Sequence, residues 1–326
     1  MRRRAFTLGL TSTLGAGLLP GFASAQSGWP SQTVRIIVPF PAGGTADILP
    51  RIIAEALGPI WRRPVIIENH PGAAGNIGSA QVAAAAPDGY TLLSAPPPPI
   101  AINQHLYAHL SFDPTQLIPI TIIASSPNVV GVSKKLGVSS LQELIALAKS
   151  RPGRLNAANQ GLGSTSHLTA ALFETMAGVR FNNVPYTGTA PALNDLVAGH
   201  VDVFFDNISS SLPQHRGDAI RILAVCSDAR IPQAPELPTV SESGLPGFVA
   251  TAWYAVMAPP LTPGGLIAQI NRDIVNVIRQ PEVERRIVAQ TATPIANSPE
   301  AARAFIAAES KLWGDVIRQS GVKIGG

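Results

Sequence analysis

VRIIVPFPAGGTADILPRIIAEALGPI, residues 34–60, is the stretch that decides the fold. Val34 to Phe40, apolar except for Arg35 and rich in β-branched residues, reads as a buried strand. Past Asp47 the apolar residues take helical spacing through ILPRIIAEALGPI, which Gly58 and Pro59 are expected to terminate. PVIIEN (64–69) repeats the strand pattern, a glycine-punctuated helix is expected from Gly75 to Ala86, and YTLLSA (90–95) is a third strand running into a loop at Pro96 to Pro99. Strand and helix in alternation imply right-handed βαβ units and a parallel sheet covered by helices on both faces.

Outward from this core the rhythm changes once and then resumes. TIIASSPNVVGVSKKL (121–136) continues strand-like with no long helix in it, so it reads as a first crossing between two lobes. Ser140 and Glu143 form a capping box ahead of LQELIALAKS. RLNAAN, FNNVPY, VDVFFD and RILAVC then read as strands, and SHLTAALFETMAG and TAPALNDLVAGH as helices. A second crossing is expected near GFVATAWYAVMAPP (247–260), followed by a helical C-terminal part in which Pro281 and Pro299 sit in first turns and Ser298 is an N-cap. The division expected is 26–127 and 252–326 for one lobe and 128–251 for the other. Two crossings suit a hinge-closing clamshell with its cleft at the carboxyl ends of the strands.

The first 25 residues, MRRRAFTLGLTSTLGAGLLPGFASA, place three arginines before an apolar stretch and end in Ala23, Ser24, Ala25. That is the layout of a secretory signal cleaved before Gln26, so a soluble periplasmic protein is expected. Arg3, Arg4 and Phe6 also fit a twin-arginine core, and both export routes stay open. Losing Arg2, Arg3 and Arg4 takes Lys and Arg from 24 to 21 against 20 acids, so the net charge of +4 falls to +1. A nucleic-acid partner, which needs clustered cations, is not expected. The single Cys226 allows no intramolecular disulfide and lies in a buried-strand pattern, where it reads as an inert core thiol.

Two loops carry the chemistry. In PFPAGGTAD (39–47), Gly43 and Gly44 uncover the backbone at a helix start, where amide N–H groups and the helix dipole can hold an anion without any Lys or Arg. The plainer reading is a tight strand-to-helix turn. In NQGLGSTSH (159–167), Gly161 and Gly163 precede Ser164, Thr165 and Ser166, which can cap the helix or donate to a ligand oxygen. Asp47 reads either as a helix cap or as a recogniser of an ammonium group or water. His167, on a first helical turn, reads as a hydrogen-bonding wall residue. Asp206 ends an apolar strand, an expensive place for an unpaired carboxylate.

Taken in order, PFPAGGTAD, PGAAGNIG, PDGYTLL, AINQHLY, GLGSTSHL, VPYTGTAPALNDLVAGHVDVFFDN and PELPTVSESGLPGF resemble the Bug family, the substrate-binding proteins of tripartite tricarboxylate transporters. The resemblance spans nearly the whole mature chain. It implies an α/β type II periplasmic-binding-protein clamshell, two lobes with helix-flanked sheets joined by two crossing segments. It also implies capture of a small carboxylate for delivery to the membrane subunits, by a monomer with no cofactor, no metal and no catalysis. On this resemblance the ligand-binding residues are Phe40, Pro41, Ala42, Gly43, Gly44, Thr45 and Asp47 of the first loop, with Ser94 beside it. The second lobe is expected to add Gly161, Gly163, Ser164, Thr165, His167, Tyr186, Gly188 and Asp206, with Asn207 at the same strand end. SAPPPPIAIN departs from the family in its four prolines, and Pro50 falls in an early helical turn where the family carries another residue. Both departures bear on ligand identity more than on fold.

An exported carboxylate sensor or an enzyme on the same two-lobed fold is the alternative. Gly72, Gly75 and Gly78 look like a dinucleotide loop, but no tyrosine has a lysine four residues on, as a short-chain reductase requires. There is no G-x-x-x-x-G-K-[ST] phosphate loop and no G-x-S-x-G elbow. His105 and His109 have helical metal-ligand spacing but no carboxylate nearby, so they read as surface histidines.

Overall fold

The computed structural model describes residues 28–322. The leader and its choice of export route lie outside the described residues. The chain opens with β1 (Val34–Val38), α1 (Thr45–Trp61), β2 (Val65–Asn69), α2 (Asn76–Ala83), β3 (Thr91–Ala95) and the short α3 (Asn103–Leu106). A long strand, β4 (Ile118–Ser133), leads to α4 (Leu141–Ser150), β5 (Asn156–Asn159), α5 (Thr165–Ala177), β6 (Asn182–Pro185), α6 (Thr189–Ala198), β7 (Val203–Asn207), α7 (Ile208–Arg216) and β8 (Ile220–Val225). The return runs through β9 (Thr251–Ala258), α8 (Gly264–Ile278), α9 (Pro281–Ala289), β10 (Thr293–Pro294) and α10 (Pro299–Ser320).

β4 joins two halves of one sheet. Up to Pro127 it pairs antiparallel with β9, and from Asn128 onward it pairs antiparallel with β7 and β8. The first half is thus β2-β1-β3-β9-β4, and the second continues β4-β7-β5-β6. The sheet is mixed rather than parallel: β1–β3 and β5–β7 pair in parallel as βαβ units, but β9 is antiparallel to both β3 and β4. The crossing strands run back through the sheet centre, which strand–helix alternation alone does not reveal.

Alternation of side chains along each strand assigns the helices to faces. Ile36, Leu92 and Val256 point into one core with α1, α8 and α9, while Ile37, Leu93 and Met257 point into the other. In the second half Phe205 packs with Leu168 and Phe173 of α5, and its neighbour Phe204 packs with Ala192 and Leu196 of α6. Burying each such side chain is worth about 1.5–3 kcal/mol. A one-residue slip would forfeit this for a whole strand, so the register is firmly set.

Three local expectations change. α1 does not stop at Gly58–Pro59 but continues to Trp61, and ends at Arg62 in the left-handed region (φ 50°). Trp61 is buried, and its indole N–H donates to Asp273 at 2.8 Å, so tertiary packing draws the chain through the proline. Pro96 to Pro99 do not form an open loop: Pro98–Ile102 wind into a buried helical turn that leads into α3. Proline suits such a start, because its fixed φ is helical and the first amides of a helix need no partner. α7 was not expected, its ISSSLPQHR sequence offering only Ile208 and Leu212 as an apolar face. The expected caps at Ser140 and Ser298 form, accepting from the amides of Glu143 and Ala301. His105 packs against Gly314 of α10 and bonds Ser310 at 2.9 Å.

α10 ties the halves a third time. Ala302 lies in a core of the first half, whereas Trp313, Val316 and Ile317 lie in the core of the second. Between them Glu309 Oε2 accepts from the indoles of Trp253 (2.8 Å) and Trp313 (3.1 Å). Burial raises the pKa of Glu309 against the effect of these two bonds.

Candidate functional site

The two glycine loops are built on one plan. In the first, Gly44 is the N-cap of α1 with extended backbone (φ −91°, ψ 172°), and Asp47 is the third helical residue. Gly43, in the left-handed region at φ +93°, turns its N–H back to Asp47 Oδ2 at 3.0 Å. Asp47 Oδ1 accepts from Arg51 (3.0 Å) and from Asn69 (2.9 Å), and the Asn69 amide also donates to the Phe40 carbonyl (3.0 Å). Asp47 is only 3 % exposed, while Pro41, Ala42, Gly43 and Gly44 are all exposed. Burial raises the carboxyl pKa, but the bonds from Arg51, Gly43 and Asn69 outweigh it and hold Asp47 below its ordinary value. Asp47 is therefore not the N-cap: both of its oxygens are engaged within the loop, which it braces as a strut. The first helical amides, Thr45 and Ala46, have no intrahelical acceptor and are left at the positive end of the helix dipole.

In the second loop Ser164 is the N-cap of α5, and its hydroxyl accepts from the His167 amide at 3.2 Å. His167 is again the third helical residue. Its Nδ1 accepts from the N–H of Gly163, which has φ +80°, at 3.2 Å. Accepting at Nδ1 places the ring proton on Nε2 in the neutral form. Burial lowers the His167 pKa. Asn159 Oδ1 accepts from Gly161, and the Gly161 carbonyl accepts from Ser164. Thr165 and Ser166 correspond to Thr45 and Ala46. The Ser166 hydroxyl is enclosed without a protein partner.

The loops converge on α7. Thr45 of the first half and Ser209 of the second share a hydroxyl–hydroxyl bond of 2.9 Å, a direct link between the halves. Gln160, in the second loop, donates to Asp206 at 2.7 Å and to Thr189 at 2.9 Å. The other Asp206 oxygen accepts from Ser211 of α7 at 2.8 Å. Asp206 is fully buried, and burial raises its pKa to about 6 despite those bonds. On β9 the enclosed Tyr254 phenol lies beside Thr45 and Asp206, and burial raises its pKa.

The remaining expected residues are placed as follows. The Phe40 ring packs over Gly75 beside Pro99, where an added Cβ would lie 3.0 Å from Pro99 and 3.1 Å from Phe40. The polyproline turn thus borders the first loop. Ser94, on β3, has an enclosed hydroxyl without a protein partner. The Tyr186 hydroxyl donates to Asp195 at 2.6 Å, its pKa pushed up to about 12 by burial and that acid. Only the Tyr186 backbone reaches the second loop, donating to the Asn159 carbonyl at 2.9 Å. Gly188 is the N-cap of α6. Cys226 is buried, which raises its thiol pKa.

Sequence reasoning missed Asn69, Arg51, Gln160, Ser209, Ser211 and Tyr254. Asn69 ends the PVIIEN strand pattern and Gln160 directly follows the RLNAAN one, and their position at carboxyl ends was the available signal. Ser209 and Ser211 gave none, because α7 itself was unread. A second cluster of enclosed polar atoms surrounds the strand ends of the second half: Asn128 donates to Thr169 at 2.7 Å, leaving its carbonyl oxygen unpaired, as is the amide of Asn159.

Comparison with known proteins supplies the family. The model of the tripartite tricarboxylate transporter family receptors matches residues 49–322. The chain is similar to Protein BugT of Bordetella pertussis, 37% identical over 298 residues and covering 91% of each chain. Among solved structures it is similar to the Rhodopseudomonas palustris protein Rpa4515 with adipate, at 36% identity and TM-score 0.85, covering 90% of this chain and 99% of that one. It is also similar to MatC from the same organism with bound malate, at 31% identity and TM-score 0.81, covering 89% and 100%. This chain belongs to the tripartite tricarboxylate transporter receptor family and has its periplasmic-binding-protein clamshell fold.

Proposed function

We propose that this receptor captures a small carboxylate in the periplasm, in the cleft where the two glycine loops and α7 converge, and delivers it to the membrane subunits of its transporter without chemical conversion. The observation that carries this reading is the pair of matched helix starts, each held open by a third-residue side chain and each leaving two helical amides at the cleft end of a strand. Neutral donors suit a carboxylate that must later leave. Hydrogen bonds to a charged group are worth roughly 1.5–3 kcal/mol each, and three or four, after desolvation, reach micromolar affinity near about −8 kcal/mol. Among the described residues the only cation bonded to either loop is Arg51, and it is committed to Asp47 and Asn69.

In this proposal the amides of Gly44, Thr45 and Ala46 seat one carboxylate, with Phe40, Pro41, Ala42 and Ser94 shaping its surroundings. Thr165, Ser166 and the Ser164 turn face it from the second half, while Asp47, Gly43, His167, Gly163 and Asp206 hold the loops. Tyr186, Gly161 and Gly188 position the second loop from behind. The relatives with adipate and malate support the ligand class.

A thermal-shift panel of aliphatic and aromatic carboxylates, adipate and malate included, tests the reading. One or a few members at 100 times their dissociation constant should add about 2.7 kcal/mol of stability. A panel in which only sugars or uncharged solutes raise the melting temperature would refute it.

A further inference from the structure

The two struts differ in kind: a carboxylate in the first loop and an imidazole in the second, each accepting the N–H of a left-handed glycine four residues earlier. We propose that His167 is a positioning residue of the second loop which works only in its neutral form, so that mild acid unseats Gly163 and weakens ligand binding. This deepens the proposed function and rests on the second loop being part of the ligand seat.

The argument is one of donors and acceptors. Neutral His167 offers Nδ1 as an acceptor 3.2 Å from the Gly163 nitrogen. Protonation places a proton on Nδ1, so two N–H groups then face each other across that distance and the bond is lost. The imidazolium would also sit in the first turn of α5, where the helix dipole disfavours a cation. Gly163 cannot take another course cheaply, because its φ of +80° belongs to the turn that presents Ser164, Thr165 and Ser166. Asp47 differs in its window: Arg51, Gly43 and Asn69 hold it ionised, so the first loop keeps its strut under the same mild acid.

Other titratable groups around α5 are few. β5 carries none, β7 carries Asp206, and α10 carries Glu309, Lys311, Asp315 and Arg318 along the part that meets the second core. α5 itself carries Glu174, near its far end. Burial alone accounts for the shift at His167. Asp206 is the group to separate from it, since it bonds Gln160 of the same loop.

The sign follows from the depressed His167 pKa. The neutral strut is fully present above the unfolded value of about 6.5, and is lost as pH falls through the lower folded value. An imidazolium near a bound carboxylate would instead attract it, so the direction of the affinity change discriminates.

The test uses the whole mature protein and has two arms. In ¹⁵N-labelled protein without ligand, the Gly163 amide resonance should titrate with the same midpoint as the His167 ring, while the Gly43 amide stays still between pH 7 and 5. A Gly163 resonance that ignores the ring midpoint overturns the proposal whether or not any ligand binds. In the second arm, adipate affinity is measured by calorimetry across the same range for wild type, His167→Gln and His167→Leu. Gln at this third helical position can accept the Gly163 N–H at every pH. H167Q should therefore keep near-wild-type affinity at pH 7 with a flat profile, and H167L should bind roughly five- to tenfold more weakly at every pH. A wild-type affinity that rises in acid, or an H167Q profile that still falls, overturns the proposal and assigns the pH response elsewhere, Asp206 first. Adipate binding absent in all three while the Gly163 amide follows the ring would support the strut and count against adipate as a ligand, which the carboxylate panel then addresses.

Discussion

The first and second loops reach the same shape with opposite chemistry. Gly43 and Gly163 turn back onto the third residue of α1 and of α5, but one meets an ionised acid braced by Arg51 and Asn69 and the other a neutral ring with no ionic partner. The first half thus fixes its loop with an ion pair, and the second with burial and a network through Asn159, Gln160 and Asp206 that contains no cation. A charged strut resists mild acid, because its folded pKa lies below the unfolded one and its contribution is lost only below about pH 4. The second loop's titrating groups answer differently: burial raises Asp206 to about 6 and lowers His167 from its ordinary value. The lesson is that matched geometry does not imply matched response.

The largest expected effect tests the neutral side. Asp206 is raised from 3.8 to about 6, so its buried carboxyl favours the folded state below the unfolded pKa, and that advantage disappears as pH rises through 6. Two units correspond to about 3 kcal/mol. Urea unfolding should therefore show Asp206→Asn losing the decline between about pH 4 and 6 that wild type displays; equal slopes in the two proteins would remove Asp206 from the comparison. On the charged side, Asp47→Ala strips the acceptor from Gly43, Arg51 and Asn69, and should lower unfolding stability by roughly 2 kcal/mol as well as abolish binding. If D47A unfolds like wild type, the charged strut is not what fixes the first loop.

A finer cut separates the two glycines. Gly43 sits at φ +93° and Gly44 at φ −91°, and neither has an atom within 4 Å of an added Cβ. Gly43→Ala should cost about 1–2 kcal/mol in backbone strain alone, whereas Gly44→Ala should leave stability unchanged and act only on ligand affinity. Melting temperatures of the pair decide this. The smallest effect is the bond between halves: a double-mutant cycle on Thr45→Val and Ser209→Ala should give a coupling of roughly 0.5–1.5 kcal/mol in ligand affinity. A coupling of zero would mean that the 2.9 Å contact does not contribute to closure.

The sites least visible in the sequence are those whose role depends on a distant partner. Asp47 could be identified as important but not as the acceptor for Gly43, because helix-cap and ligand-contact readings share one sequence pattern. His167 was expected at the wall of the site, yet the nitrogen it turns to Gly163 is set by the loop. Ser209 and Ser211 lie in a short helix whose apolar face is only Ile208 and Leu212, and its docking brings them to Thr45 and Asp206. Tyr186 shows the converse: its placement in the motif is clear, but Asp195 takes its hydroxyl.

Alternating strand and helix patterns, glycine positions and caps were enough to determine the α/β class, the two glycine loops at helix starts and most element boundaries, because those features are local and repeat with periods of two and 3.6 residues. The tertiary structure alone decided the antiparallel return of β9 through the sheet, the span of α10 across both cores, the helical winding that begins at Pro98 and Pro99 and the partners of every strut. Each of these depends on residues tens to hundreds of positions apart meeting in space, and sequence spacing carries no record of which acceptor a donor will find.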